Sequence, residues 1–188
     1  MKNLKTIALA IAVTLSTLTV TAQTKKVDVS KSTINWVGKK VTGQHTGTVG
    51  LKSGALVFKK NALTGGTFTV DMTTLTSTDL TGEYLGKLNG HLKSEDFFGT
   101  EKFPTSTLVF KTIATKSANL YTVTADLTIK GITKPVVFDI TVSGDTATTT
   151  FNVDRTKYDI KYNSKSFFES IGDKAIYDEF ELTVNLNF

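Results

Sequence analysis

The feature that most constrains the fold is an alternation of apolar and polar side chains that recurs along most of the chain. In residues 120–130 every second position is apolar, at Tyr121, Val123, Ala125, Leu127 and Ile129. The same two-residue period continues in residues 66–72 and 177–188. Successive side chains of a strand point to opposite faces, so this period predicts strands with one buried face.

About eight such strands can be counted. They occupy residues 25–40, 48–59, 65–72, a stretch from Thr105, 120–130, 135–142, 146–154 and 177–188. A bend is predicted at 30–32 in the first of them, and turns are predicted at 39–47 and at Gly131. Antiparallel strands without a free edge close into an up-and-down barrel. The predicted fold is therefore all-β, an eight-stranded antiparallel lipocalin-like barrel.

One segment, residues 89–110, interrupts the alternation. Leucines spaced three and seven residues apart predict a short helix over residues 77–92. Ser94 has the character of an N-cap, and it is predicted to lead a single turn that ends at Gly99. The segment is expected to close one part of the barrel.

The first 22 residues have the features of a signal peptide. A basic start is followed by an apolar run at 7–20, and Ala22 ends a small-residue cleavage site. Residues 1–22 are therefore predicted to be removed, which leaves one domain over residues 23–188. The expected location is the periplasm or the extracellular space, and no transmembrane span is predicted.

Composition excludes several classes of function. The chain has no cysteine, which rules out disulfides, thiolate chemistry and a lipoprotein anchor. The net charge of +5 falls to +3 once Lys2 and Lys5 leave with the signal. The remaining lysines are scattered, so no nucleic-acid surface is predicted. Neither a cofactor nor a metal site is expected, because the two histidines, His45 and His91, lack further ligands at a recognisable spacing.

Three segments carry a family resemblance. They are residues 90–98 (GHLKSEDFF) with Pro104-Thr105 after them, 127–136 (LTIKGITKPV) and 154–160 (DRTKYDI). Their order and spacing resemble the signature segments of the YceI-like lipid- and polyisoprenoid-binding proteins. One difference is Asp159, where relatives often carry Gly.

The resemblance implies a lipocalin-like barrel, usually exported, that encloses a long hydrophobic tunnel for an isoprenoid or fatty-acyl chain. The family is not a set of established enzymes, and no catalytic residue is predicted. Ser94 and His91 lie three residues apart and resemble a helix cap more than a catalytic pair.

The aromatic side chains are the candidate tunnel lining, although each ring could equally be ordinary core. The candidates are Trp36, Phe58, Phe68, Phe97, Phe98, Phe110, Phe138, Phe151, Phe167, Phe168 and Phe180. His91 and Arg155 are the candidates for contact with a polar head group. For His91 a structural or surface role is the alternative, and for Arg155 it is an ion pair with Asp154.

Two functions remain open from the sequence. The first is an exported carrier that binds one long apolar lipid, a polyisoprenoid, an isoprenoid quinone or a fatty-acyl species. The alternative is an exported stress-response or enzymatic protein with a solid barrel core and residues 164–174 as its working surface. A homodimer is open under either function.

Overall fold

The computed structural model describes residues 21–168, 170 and 172–188. The predicted signal peptide at 1–22 lies almost entirely outside the described residues. Within them the chain forms nine strands, one α-helix and two short 3₁₀ turns. In chain order the elements are β1 (Gln23–Lys26), β2 (Thr33–Lys40), β3 (Gly43–Lys59), β4 (Ala62–Ser77), α1 (Gly82–Lys93), β5 (Thr105–Ser117), β6 (Leu120–Ile129), β7 (Ile132–Ser143), β8 (Thr146–Asp154), the 3₁₀ turns Arg155–Tyr158 and Gly172–Lys174, and β9 (Ile176–Asn187).

Strands β2 to β9 form a closed antiparallel barrel. Each strand pairs with the next one in the chain, and β9 returns to pair with β2. Strands β4 and β5 also pair, although α1 lies between them in the chain. Strand β1 lies outside the barrel and pairs with the second half of β3. The predicted all-β, eight-stranded barrel with a short helix between strands is thus confirmed, with β1 as an addition.

The first predicted strand, residues 25–40, is interrupted. Asp28 accepts hydrogen bonds from the backbone N–H and the hydroxyl of Ser30, and this turn separates β1 from β2 at the predicted bend. The predicted turn over 39–47 is too long, because Lys40 already pairs with Gly43. At the β6–β7 hairpin, the expected tight turn is present at Gly131, with a φ of 73°.

The predicted helix over 77–92 begins five residues too early. Ser77 still pairs with Gly47 in the sheet, so α1 can start only at Gly82. The predicted N-cap at Ser94 is wrong: its backbone N–H and its hydroxyl both donate to the carbonyl of His91, which makes Ser94 the C-terminal cap of α1. The single turn that follows ends at Gly99 as predicted, with a φ of 54°.

The two ends of the barrel differ. The end that we call the helical end carries the connections 41–42, 78–104, 130–131 and 155–175. The opposite end, the turn end, carries the short connections 60–61, 118–119 and 144–145. Side chains fill the turn end as a solid core, in which Phe58 lies 5.7 Å from Phe188. The buried side chains around that pair include Val27, Leu56, Leu63, Tyr121, Val123, Ala125 and Ala147.

A carboxylate fixes the start of the helical segment. One oxygen of Asp79 accepts from the Ser77 hydroxyl at 2.7 Å and from the Thr46 backbone N–H at 3.0 Å, and the other lies 2.9 Å from Nδ1 of His45. Partial burial opposes ionisation of Asp79, but these hydrogen bonds outweigh it and lower its pKa to about 2. Asp79 thereby joins the start of β3 to the connection between β4 and α1.

The lowered pKa predicts that Asp79 contributes to stability in a pH-dependent way. Its folded pKa of about 2 lies below the unfolded value of roughly 3.9. The contribution is therefore complete above about pH 5 and is lost as the pH falls towards 2. Urea unfolding should show Asp79→Asn to be less stable than the parent at pH 7, with the difference shrinking to near zero at about pH 2.

The control is Asp173→Asn, an exposed carboxylate on the 155–175 connection, which should unfold like the parent at every pH. A stability difference for Asp79→Asn that stays constant between neutral and acid pH would contradict the assignment.

Candidate ligand-binding cavity

The barrel encloses an elongated cavity of about 160 Å³. All eight barrel strands contribute to its wall, together with Leu92 of α1 and the Phe97-Phe98 pair that follows the helix. On β9 the lining side chains run from Ile176 to Leu186. At roughly 3.3 Å per residue that distance is about 30 Å along the strand, and it is shorter along the barrel axis because barrel strands are tilted. A volume of this size spread over such a length describes a narrow channel that fits one hydrocarbon chain.

The channel offers almost no free polar group. Of its polar lining residues, Ser106 donates its hydroxyl to the carbonyl of Thr128 at 2.6 Å, and Tyr177 and Glu179 are exposed to solvent. The rest of the wall is built mainly of aliphatic and aromatic side chains. Such a wall favours hydrocarbon, since a polar group placed there would lose its hydrogen bonds to water without replacement.

Eight of the eleven predicted aromatics line this cavity. They are Trp36, Phe68, Phe97, Phe98, Phe110, Phe138, Phe151 and Phe180. Four of them form a row of touching rings on the wall. The ring centres of Phe68 and Phe110 are 5.5 Å apart, those of Phe110 and Phe138 are 5.9 Å apart, and Phe138 stacks on Phe151 at 4.6 Å.

The other three predicted aromatics are placed away from the cavity. Phe58 alternates inward like the lining residues, but it stands at the level of the solid turn end and packs on Phe188. Phe167 and Phe168 lie on the 155–175 connection and are each 50% exposed. The predicted lining set is corrected accordingly: these three rings belong to core and surface.

Glycines make room for three of the lining rings. Trp36 lies across Gly47 and Phe68 across Gly54, in both cases as the directly paired residue of the neighbouring strand. A Cβ at Gly66 would stand 2.7 Å from the ring of Phe110. Sequence analysis missed this role, although a glycine inside an alternating strand is itself a signal of close approach.

Aliphatic lining residues were missed as well. Examples are Ile34, Leu51, Met72, Leu108, Leu127 and Leu182. They occupy the same inward positions of the alternation as the aromatics, so the period itself could have identified them.

The two predicted head-group residues contact the same ring. His91 packs edge-on against Phe97 with ring centres 5.1 Å apart, and the guanidinium of Arg155 lies 5.6 Å from the centre of that ring. Tyr162 covers His91 from another side at 4.4 Å. The structure therefore brings both candidates to the helical end, beside the last aromatics of the channel.

Arg155 is held by the protein itself. It is 2% exposed, and it donates to the carbonyls of Ile160 at 2.8 Å, Ile176 at 3.0 Å and Tyr177 at 3.1 Å. The ion pair considered with Asp154 is not formed; instead Nη2 of Arg155 lies 3.7 Å from Oδ1 of Asp178. Asp154 instead caps the 3₁₀ turn Arg155–Tyr158 by accepting from the backbone N–H of Thr156. Burial lowers the pKa of Arg155, while Asp178 and then Asp154 oppose that effect.

Polar atoms at the helical end retain unused hydrogen-bonding capacity. Nε2 of His91 and the hydroxyl of Tyr158 are buried without a partner among the described residues, as is one carboxylate oxygen of Asp178. Burial, and next the charge of Asp154, raises the pKa of Tyr158 to about 12, so its hydroxyl stays protonated. At the helical end Arg155 lines the channel, whereas His91 and Tyr158 are not among its described lining residues.

The backbone conformation of Asp159 is one that glycine, the residue common in relatives at this position, also adopts. Its backbone has φ 60° and ψ 28°, the left-handed conformation that ends the 3₁₀ turn Arg155–Tyr158. Glycine adopts this conformation without strain, and Asp is among the few other residues that tolerate it. The backbone beside Arg155 thus adopts a conformation that a glycine at this position would also allow.

Among the described residues, no group of three or more His, Cys, Asp and Glu side chains is arranged to hold a metal ion. In the same part of the chain, no helix has the length and apolar character needed to cross a bilayer.

The family model of the YceI-like domain matches residues 25–188. The chain belongs to the YceI-like family. Among curated relatives, a UPF0312 protein of Photorhabdus laumondii is 42% identical over 55 residues, which are 29% of this chain and 28% of the relative. A UPF0312 protein of Staphylococcus aureus is 38% identical over 86 residues, 40% of this chain and 47% of the relative. The matched parts thus span less than half of these relatives.

Solved structures share the fold. BcnA of Burkholderia cenocepacia superimposes with a TM-score of 0.63 at 23% identity, covering 85% of this chain and 98% of BcnA. A polyisoprenoid-binding domain from Saccharophagus degradans has a TM-score of 0.56 at 12% identity, covering 90% of this chain and 99% of that domain. A YceI protein of Campylobacter jejuni has a TM-score of 0.54 at 14% identity and covers 98% of this chain and 92% of its own. At these identities the likeness concerns the barrel fold.

Proposed function

We propose that this protein is an exported carrier that binds one long, unbranched or isoprenoid hydrocarbon chain inside the barrel. The observation that carries the proposal is the narrow apolar channel, lined on β9 from Ile176 to Leu186. Membership of the YceI-like family and the fold shared with a polyisoprenoid-binding domain support it. The protein acts by binding and not by catalysis, and export follows from the signal-like residues 1–22.

The energetics of such a channel favour a long ligand with few polar contacts. Each CH₂ group moved from water into apolar surroundings contributes about 0.8 kcal/mol. A long chain therefore binds through its length, even after the cost of ordering it. The alternative with a solid barrel core fits less well, since the core is solid only at the turn end.

The polar end of the ligand is proposed to lie at the helical end. Arg155 lines the channel there, and the unpartnered Nε2 of His91 and hydroxyl of Tyr158 lie at the same end. A carbonyl, hydroxyl or phosphate could accept or donate a hydrogen bond at this end, with the chain pointing towards the row of rings that starts at Phe68. Replacing His91 with Ala should weaken ligand binding, and unchanged occupancy would remove His91 from the site.

Organic extraction tests the carrier function. Protein purified from the exported fraction of its native host should release a prenyl or acyl lipid at about one per chain, identified by mass spectrometry. The intact mass of the same sample checks cleavage after Ala22. An extract free of lipid, together with no binding of an apolar fluorescent probe, would argue against the carrier function.

A pair of tryptophan variants tests whether the ligand occupies the channel. Leu108 lines the channel and packs against the hydrophobic side chains of both the turn end and the helical end. Val109, the next residue, faces outward and is 37% exposed. Leu108→Trp should fill the channel and reduce the amount of lipid bound at least tenfold. The larger side chain should also lower the free energy of unfolding by about 1–3 kcal/mol. Val109→Trp should retain the lipid. If Leu108→Trp is folded by circular dichroism and still carries a full equivalent, the ligand does not lie in the channel.

A further inference from the structure

Two phenylalanines are exposed at the helical end and contribute nothing to the core. Phe167 and Phe168 are each 50% exposed; Tyr162, earlier on the same connection, is 40% exposed, and Tyr177 on β9 is 53% exposed. Burying apolar rings is favourable, so four partly exposed rings at one end of a barrel indicate a contact surface. We call Phe167 and Phe168 the exposed pair.

The exposed pair is held firmly against the barrel. The backbone N–H groups of Phe167 and Phe168 both donate to the carbonyl of Ser164, at 3.2 and 3.0 Å. Ser164 is fully buried and bridges to Ile176, whose own N–H donates to the carbonyl of Asn163 at 2.9 Å. Because Ile176 lines the channel, the backbone that carries the two rings is joined to the channel wall at the helical end.

Among the described residues the solid core lies at the turn end, so the helical end is the route that we assign to the ligand. The turn end is closed by the core around Phe58 and Phe188. At the helical end the lining includes Phe98, whose ring meets that of Phe180 edge to face at 6.1 Å. Exchange of a water-insoluble chain therefore requires the helical end to face the phase in which that chain dissolves.

The charge around the exposed pair indicates the nature of that phase. The connection 155–175 carries five basic and three acidic residues; of the basic ones Arg155 is buried and Lys161 is paired with Asp159 at 2.7 Å. The ammonium of Lys161 lies 5.1 Å from the ring centre of Phe167, and Lys165 and Lys174 are exposed on the same connection. Aromatic rings flanked by lysines suit the boundary between lipid headgroups and acyl chains, where anionic phosphates attract the ammonium groups.

We propose that the exposed pair docks the protein on an anionic lipid bilayer, with Phe167 and Phe168 inserted among the headgroups and Lys161, Lys165 and Lys174 near the phosphates. The helical end then faces the membrane, and the lipid enters or leaves the channel past Phe98 and Phe180. The purpose of docking rests on the proposed carrier function, whereas docking itself can be measured without any channel ligand.

Vesicle sedimentation with the mature chain tests the docking surface. The protein should bind vesicles of equal parts phosphatidylcholine and phosphatidylglycerol, and bind pure phosphatidylcholine far more weakly. Replacing both rings, as Phe167→Ser with Phe168→Ser, should weaken binding at least tenfold. The control is Val137→Ser, which removes a 64% exposed side chain from the side of the barrel and should bind like the parent.

A charge variant tests the second part of the surface. Lys165→Gln with Lys174→Gln should reduce the preference for anionic vesicles, as should raising the salt from about 0.1 M to 1 M. Equal binding of the parent to both vesicle types, binding unaffected by loss of the exposed pair, or no binding at all would overturn the proposal. Fluorescence of the single tryptophan, Trp36, checks that each variant is folded. If the protein releases lipid on extraction but does not bind vesicles, the carrier function is retained and only the docking proposal is rejected.

Discussion

Replacing Gly47 with Ala is expected to destabilise the barrel by at least about 3 kcal/mol. A Cβ at this position would lie 2.0 Å from the carbonyl oxygen of Thr76 and 2.3 Å from the nearest ring atom of Trp36. Real Cβ atoms do not approach other atoms so closely, so β3 must separate from β4 or the indole must leave the channel wall. Overpacking usually costs about 1–3 kcal/mol, and a clash with backbone exceeds that range because backbone cannot rotate away.

Urea unfolding followed by far-UV circular dichroism measures this effect. The matched control is Gly86→Ala, since a Cβ on this exposed residue of α1 meets nothing within 4 Å. That change should stabilise the protein by up to about 1 kcal/mol, because alanine favours the helix. The same chemical substitution is thus expected to have opposite signs at two sites. A loss below about 1 kcal/mol for Gly47→Ala would show that the wall tolerates separation of its strands.

The sequence predicted the barrel because its signal is local. The alternation in residues such as 120–130 depends only on neighbouring side chains, and a strand must turn one face inward wherever it lies in the sheet. The start of the helix was harder to predict. Ser77 begins the stretch that has helical spacing, yet its pairing with Gly47 extends β4 to that residue. Long-range pairing outweighed local preference at that point.

The channel lining was harder to predict than the fold. Phe58 and Phe68 have the same pattern in the sequence, but strand register places Phe58 in the solid turn end and Phe68 on the channel wall. No local signal reports the level of a residue along the barrel axis. Phe167 and Phe168 lie outside any alternation, so the sequence offered no basis for separating surface from lining there.

Arg155 shows why the role of a charged residue could not be decided from the sequence. The acceptors of its guanidinium are backbone carbonyls of Ile160, Ile176 and Tyr177, which any residue type could supply. Only the fold brings the start of β9 back to the end of β8. Asp178, 3.7 Å away, stands 23 positions later in the chain and has no spacing that marks it as a partner.

Replacing Arg155 with Met is expected to cost about 3–5 kcal/mol, the range for removing one partner of a buried ionic group. Methionine fills similar space but leaves three carbonyls without their guanidinium donors, and it removes the cation that lies 3.7 Å from the half-buried carboxylate of Asp178. Arg155→Lys should lose less, yet it should remain clearly below the parent because one ammonium cannot reproduce the fork of donors. Urea unfolding at neutral pH measures both variants.

Lys157→Met provides the matched control for Arg155. Its side chain is 62% exposed and lies 3.9 Å from Asp154, so its removal should change stability by less than about 0.5 kcal/mol.

Hydrogen exchange separates a local role from a global one: in Arg155→Met the amides of residues 160–168 and 176–178 should lose protection before those of β6. Since the same carbonyls anchor the connection that presents Phe167 and Phe168, Arg155→Met should also weaken vesicle binding if the docking surface is as proposed. Stability equal to the parent would mean that the three carbonyl contacts are replaced by water at no cost, and the guanidinium would then be free for the head group of a ligand.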